Sequence, residues 1–193
     1  MSKEAGHLAS SAACPASLLV VDMINTWQMQ GGKALLVAAS RMLPNMVRLL
    51  TAARRAGAPI VYANDNFGCW RSNILQTIAQ AREAHPVSAR IVDALAPQPN
   101  DYIVLKPKHS AFYATPLALL LRALEIKRLV IAGVSADQCV LATAGDALLR
   151  EYEVIVPSDA VASPTAARTR AILKHFRDVM DIPTPTSPNV RWR

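Results

Sequence analysis

Short apolar runs recur along the chain with helical segments between them, and that alternation decides the architecture. The first run, 17–21 (Ser-Leu-Leu-Val-Val), is continuously apolar and β-branched at its end. That is the pattern of a parallel strand buried on both faces. Similar runs occupy 59–63 (Pro-Ile-Val-Tyr-Ala), 102–105 (Tyr-Ile-Val-Leu), 128–132 (Arg-Leu-Val-Ile-Ala) and 153–156 (Glu-Val-Ile-Val). Residues 179–182 are a candidate sixth strand. Helical periodicity covers 33–56, where Leu35, Leu36, Met42, Met46, Leu49 and Leu50 form an apolar stripe and Gly57 stands at the expected C-cap. Pro44 predicts a break or kink near 40–43. Further helices are expected over 74–82, 87–95, 116–124, 137–150 and from Ser163-Pro164 to 177. Thr115 and Ser163 read as N-caps, each followed by proline in the first helical position.

Strands alternating with helices predict right-handed βαβ units. The fold class is α/β: a three-layer α-β-α sandwich around a largely parallel, Rossmann-like sheet of about six strands. The domain covers 17–182. Residues 1–16 read as a flexible N-terminal arm, and the proline-rich 183–193 as an extended C-terminal tail.

Composition narrows the class. Of 193 residues, 52% are hydrophobic and 18% charged, as in a globular chain. No apolar run approaches the ~18 residues of a membrane span, and the first residues lack the apolar centre of a signal peptide. A cytoplasmic protein with no membrane partner is expected. The 3 cysteines, Cys14, Cys69 and Cys139, are widely spaced and suggest neither a disulfide framework nor a zinc site. A net charge of +7 and a pI near 9.7 would suit an anionic substrate. The basic residues are scattered, however. Their densest group (Arg168, Arg170, Lys174, Arg177, Arg191 and Arg193) reads as a solvated helix face, and no nucleic-acid module is present.

The stretch 128–150 carries the chemistry. An apolar strand runs into Gly133-Val-Ser-Ala-Asp-Gln, and Cys139 opens the helix that follows. Ligands bind at the carboxyl ends of strands in such sheets. A thiol in a first helical turn meets unpaired N–H groups and a positive dipole end, which lower its pKa and favour the nucleophilic thiolate. A free cysteine is also commonly a small buried hydrophobe, and this stretch alone admits both readings. Two other strands end in chemically capable residues. Asp22 follows the first and Lys106 the third. In a parallel sheet these ends share one edge, so a thiol, a base and a cation can converge there.

Taken together, Leu-Leu-Val-Val-Asp22, Lys106-Pro-Lys-His-Ser110-Ala111-Phe112 and Gly133-Val-Ser-Ala-Asp-Gln-Cys139-Val140, with Thr143 and Asp146, resemble the isochorismatase-like cysteine hydrolases. That superfamily includes nicotinamidases and N-carbamoylsarcosine amidases. The resemblance implies a catalytic triad of Asp22, Lys106 and Cys139. It also implies a cis peptide between Val134 and Ser135, and an oxyanion hole from the Ser135 and Cys139 amides. It implies covalent cleavage of an amide, ureide or carbamoyl bond through a Cys139 thioester, without a cofactor, in a homodimer or homotetramer.

Departures from the family pattern bear on the substrate. Nicotinamidases carry metal-binding histidines after the second strand. Here the segment reads Asp65-Asn66-Phe67-Gly68-Cys69-Trp70-Arg71, without histidine, so no metal is expected. Relatives that hydrolyse the vinyl ether of isochorismate can dispense with the cysteine, so Cys139 favours C–N chemistry over that alternative. A non-catalytic binding descendant of the fold is the other alternative, and the intact triad argues against it. Loops at the catalytic edge nominate Trp27, Asn64, Phe67, Trp70, Phe112 and Tyr113 as substrate contacts. His109 reads as a surface or wall residue. Asp146 and Asp159 read as polar scaffold, and Asp137 as a helix-start cap.

Overall fold

The computed structural model describes residues 15–66, 68, 70–71 and 73–192. Its 6-stranded sheet has the order β3-β2-β1-β4-β5, with β6 paired to β4, and every pairing is parallel. The strands are β1 (Ala16–Val21), β2 (Ile60–Asp65), β3 (Tyr102–Lys106), β4 (Arg128–Val134), β5 (Glu153–Ile155) and β6 (Val161–Ala162). The helices are α1 (Gly32–Arg55), α2 (Ile74–Ala84), α3 (Pro86–Leu95), α4 (Leu117–Ala123), α5 (Leu141–Leu148) and α6 (Ala166–Asp178). Alternate strand residues face opposite layers. Leu18 and Val20 pack with α1, α2 and α3, whereas Leu19 and Val21 pack with α4, α5 and α6. The result is the expected α-β-α sandwich. Among the described residues no helix is long and apolar enough to cross a membrane.

Three local expectations need correction. Helix α1 runs unbroken through Pro44. Proline inside a helix costs about 3 kcal/mol. The stripe from Leu35 to Ala53 is buried along the whole helix, and each large apolar side chain buried contributes about 1.5–3 kcal/mol. Burial therefore outweighs the lost hydrogen bond. Residues 179–182 are not a strand. The N–H groups of Val179 and Met180 bond to His175 O, and that of Ile182 bonds to Phe176 O, so the segment closes the end of α6. The sixth strand is β6, which meets β4 at Gly133 and Val134, beyond the reach of β5. Finally, α6 is capped by Thr165, not Ser163.

The ends of the domain also differ from the sequence picture. The proposed arm lies outside the described residues up to position 14, and Ala16 already belongs to β1. The C-terminal stretch docks on the domain. Pro183 O and Pro185 O accept hydrogen bonds from Val156 and Ser158, and Asp159 accepts both the N–H (2.7 Å) and the hydroxyl (2.9 Å) of Ser187. Val190 and Trp192 are buried in the α1-side core.

Gly133 is required where β1 and β4 approach. Its φ is +124°, and a Cβ there would sit 2.1 Å from Val21 O. Gly57 also has positive φ, +69°, but open space around it. We expect Gly133→Ala to destabilise the fold by about 3 kcal/mol or more. Gly57→Ala should cost only about 1–2 kcal/mol, the left-handed penalty alone. Urea midpoints of the two variants measure the difference, and equal shifts would contradict it.

Candidate active site

Asp22 follows β1 directly in a left-handed backbone conformation, φ +52°, which aspartate tolerates better than most residues. Its N–H donates to Ala63 O of β2. One carboxylate oxygen, Oδ1, accepts the Asp65 N–H at 2.7 Å, and Oδ2 lies 2.8 Å from Lys106 Nζ. Lys106 is the last residue of β3 and is 0% exposed. An ammonium has three donors. Those of Lys106 meet Asp22 Oδ2 at 2.8 Å, the Lys108 carbonyl at 3.2 Å and Cys139 Sγ at 3.5 Å. Asp65 Oδ2 stands further off at 3.7 Å.

Beyond β4 the Val134–Ser135 peptide is cis. The next turn, Ala136–Val140, is π-helical: the Val140 N–H donates to Ser135 O and the Leu141 N–H to Ala136 O. Cys139 sits in this widened turn and not in the regular helix start expected from the sequence. Its sulfur lies between Lys106 and His109, whose Nδ1 is 3.6 Å away. Asp137 ties the turn to its neighbours. It accepts the hydroxyls of Ser135 and Ser163 on Oδ1, and Oδ2 pairs with Arg168 Nε. The loop after Lys106 is pinned to α5 in turn. The Ser110 hydroxyl donates to Asp146, and the Ala111 N–H donates to Thr143 Oγ1.

These groups open into a cleft of ≈ 690 Å³ lined by Asp22, Asp65, His109, Ser135, Gln138 and Cys139, with Asn25, Met29, Pro164 and Arg168 among its walls. The family profile described as Isochorismatase domain matches residues 16–187. The chain belongs to the isochorismatase family of hydrolases. It is similar to the isochorismatase family protein YaaI of Bacillus subtilis, 39% identical over 147 residues, covering 76% of this chain and 80% of that one. It is 34% identical to the ureidoacrylate amidohydrolase RutB of Methylorubrum extorquens, covering 80% of this chain and 73% of that protein. Among solved structures, N-carbamoylsarcosine amidase from Thermoplasma acidophilum superposes with a TM-score of 0.69 at 28% identity, covering 91% of this chain and 98% of that chain.

Asp22, Lys106, Ser135 and Cys139, nominated from sequence, come together at one edge of the sheet. Of the pocket contacts proposed with them, Trp27, Asn64, Trp70, Phe112 and Tyr113 are not among the residues that line the cleft. Trp27 is a core residue whose indole N–H donates to Ser88. Asn64 is spent on the backbone of Ile24, accepting from its N–H and donating to its carbonyl. Phe112 stacks on Tyr152 under the Arg150 guanidinium. Trp70, 81% exposed, and Tyr113 lie on the surface and are not among the residues that line the cleft. Phe67 and Cys69 lie outside the described residues. Of the polar walls that do line it, His109 is the one the sequence reads as a surface or wall residue, and Asn25, Gln138 and Arg168 were missed as contacts. Asp146 and Asp159 serve as scaffold, and Asp137 bridges three elements instead of capping one. Residues 65–71 offer Asp65 without a histidine, which does not fit the metal site of nicotinamidases. Among the described residues, no group of three or more His, Cys, Asp or Glu could hold a metal ion.

Electrostatics reverse one expectation. Burial, reinforced by the Asp22 carboxylate, pushes the Cys139 thiol up to about 12, and Lys106 only partly offsets this. Burial likewise raises Asp22 against the pull of Lys106. For Lys106 burial works downward, yet Asp22 and the other acidic neighbours leave it above its ordinary value. The resting site therefore holds a protonated thiol beside the buried Asp22–Lys106 pair. Below pH 12 the thiolate fraction of such a group grows about tenfold per pH unit. Alkylation of Cys139 by iodoacetamide, followed on its peptide by mass spectrometry, should be slow at pH 7 and climb steeply to pH 10. A plateau at neutral pH in the unmodified protein would contradict the assignment.

Proposed function

We propose that the protein cleaves a C–N bond of a small amide, ureide or carbamoyl compound through a thioester on Cys139. The observation that carries this reading is the shared ammonium: Lys106 Nζ contacts both the Asp22 carboxylate and the Cys139 sulfur at the head of the cleft. Asp22 takes the thiol proton as the sulfur attacks the substrate carbonyl, and Lys106 stabilises the thiolate as it forms. The oxyanion is received by the Ser135 and Cys139 N–H groups. In support, Ser135 N–H has no backbone partner among the described residues. One such donor is worth about 3–4 kcal/mol of transition-state stabilisation. The C–N bond breaks, the nitrogen leaves protonated, and water hydrolyses the thioester to return the thiol.

The names of the relatives support the bond type. RutB is a ureidoacrylate amidohydrolase and the Thermoplasma protein an N-carbamoylsarcosine amidase, so ureido and carbamoyl acids head the substrate panel. A cleft of ≈ 690 Å³ suits compounds of that size. Vinyl-ether hydrolysis would leave the buried thiol without a task.

Ammonia release from a panel of ureides, carbamoyl acids and carboxamides tests the reading. Cys139→Ala should lose at least about a thousandfold in kcat, since nucleophile and thioester vanish together. Rapid quench of the unmodified protein should show an acyl mass on the Cys139 peptide. Turnover that survives Cys139→Ala would overturn the thioester.

A further inference from the structure

The strand order sorts the charged groups of the cleft. Asp65 ends β2 and Asp22 follows β1, whereas Cys139 follows β4, the next strand over. On the far side of β4, β6 leads through residues 163–165 into α6, and Arg168 stands in the first turn of that helix. The cleft therefore has two carboxyl groups on one side of the sulfur and one guanidinium on the other. A helix start disfavours a cation, and no acidic residue in the first turn of α6 offsets it. Asp137 does so from outside the helix. Its Oδ2 pairs with Arg168 Nε, and its Oδ1 accepts the hydroxyls of Ser135 and Ser163. Burial raises the Asp137 carboxyl, but these hydrogen bonds outweigh burial and hold it below its ordinary value. An arginine carries five N–H donors in a rigid fork. Nε is engaged, and among the described residues no acceptor meets the donors on Nη1 and Nη2.

We propose that Arg168 is a specificity-determining residue, the anchor for a carboxylate on the substrate. The proposal rests on the C–N cleavage reading above. It narrows the substrate to ureido or carbamoyl acids bound in one direction, with the carboxylate on the α6 side of the reacting carbonyl. With Nε held by Asp137, the Nη groups keep the parallel donors that match a carboxylate. A doubly charged phosphate suits the cleft less. Asp22 and Asp65 line it, Asp137 already shares the guanidinium, and Lys106 is not among the lining residues. The side opposite Arg168 offers carboxyl oxygens, which suit the N–H groups of a ureido end. A neutral substrate of the same length would leave the Nη donors unmatched, and a site built to hydrogen-bond a group discriminates against the analogue that lacks it.

Matched acids and alcohols separate this role from a structural one. The probes are N-carbamoylglycine, 3-ureidopropionate and 4-ureidobutyrate, each beside the ureido alcohol of the same chain length, with ammonia release as the readout. Hydrogen bonds to a charged group are worth about 10–100-fold in affinity. The parent should therefore prefer the best acid over its alcohol by at least about tenfold in kcat/KM. Arg168→Gln should shrink that preference about tenfold or more, through KM for the acid and not through kcat. Arg168→Lys keeps the charge without the fork, so its preference should fall between the two. The same preference should appear as tighter calorimetric binding of the acid to the Cys139→Ala protein, and Arg168→Gln in that background should remove it. A parent without acid preference would overturn the proposal. So would an Arg168→Gln variant that loses equally on acid and alcohol, the mark of a residue that only steadies Asp137. Failure of the thioester reading looks different: turnover survives Cys139→Ala while the acid preference and its dependence on Arg168 stand. If no acid of the panel is turned over and none binds the Cys139→Ala protein more tightly than its alcohol, both readings fall.

Discussion

A lysine ammonium with no exposure to water is the constraint on which the site depends. Moving such a charge out of water costs several kcal/mol, and the loss is recovered only when its partners are close and its donors are filled. Lys106 meets that condition with a carboxylate, a backbone carbonyl and a sulfur, one for each hydrogen. Because each partner comes from a different part of the chain, the ammonium holds the ends of β1, β3 and β4 in one geometry. Removing one partner would leave a buried charge uncompensated. The proposed catalytic arrangement and the stability of this edge of the sheet therefore rest on the same interaction.

The strand order explains why the partners meet. With β1 at the centre of β3-β2-β1-β4-β5, the chain winds outward one way through β2 and β3 and the other way through β4 and β5. Open parallel sheets bind ligands at the carboxyl edge where that winding reverses, here between β1 and β4. Asp22 stands on one side of the reversal and Ser135 with Cys139 on the other. Lys106 reaches in from β3, two strands away from β1, which is why a long side chain occupies that position. Gly133 lets β4 pass Val21 closely enough for the two sides to share one cleft.

Strand-end chemistry was legible in the sequence because it depends only on where apolar runs stop. Asp22, Lys106 and Cys139 each follow such a stop, and a parallel sheet does the rest. The cleft walls were not legible, because loop residues are sorted by tertiary contacts. Trp27 and Phe112 have the aromatic character of pocket residues, yet they bury their rings in the two cores on either side of the sheet. Asn25, Gln138 and Arg168 carry no pattern that marks them. The same limit applies to regular elements. Pro44 stays in a helix because a continuous buried stripe overrides its local preference. The strand expected at 179–182 fails because its donors are taken by the end of α6.

The thiol illustrates how one environment can reverse a local rule. A helix start alone would acidify Cys139, but the turn is π-helical, 8% of the residue is exposed, and a carboxylate faces the same ammonium. Burial then dominates and keeps the proton on sulfur. On the proposed chemistry this is an advantage. A standing thiolate in a cleft open to solvent would be exposed to oxidation and to alkylation, whereas a thiol beside a raised carboxylate becomes nucleophilic as its proton moves to Asp22. The same low-dielectric surroundings that oppose the free thiolate strengthen its attraction to Lys106 once it forms. The site thus holds its nucleophile in reserve, and the proton acceptor and the cation are already within reach when a carbonyl arrives.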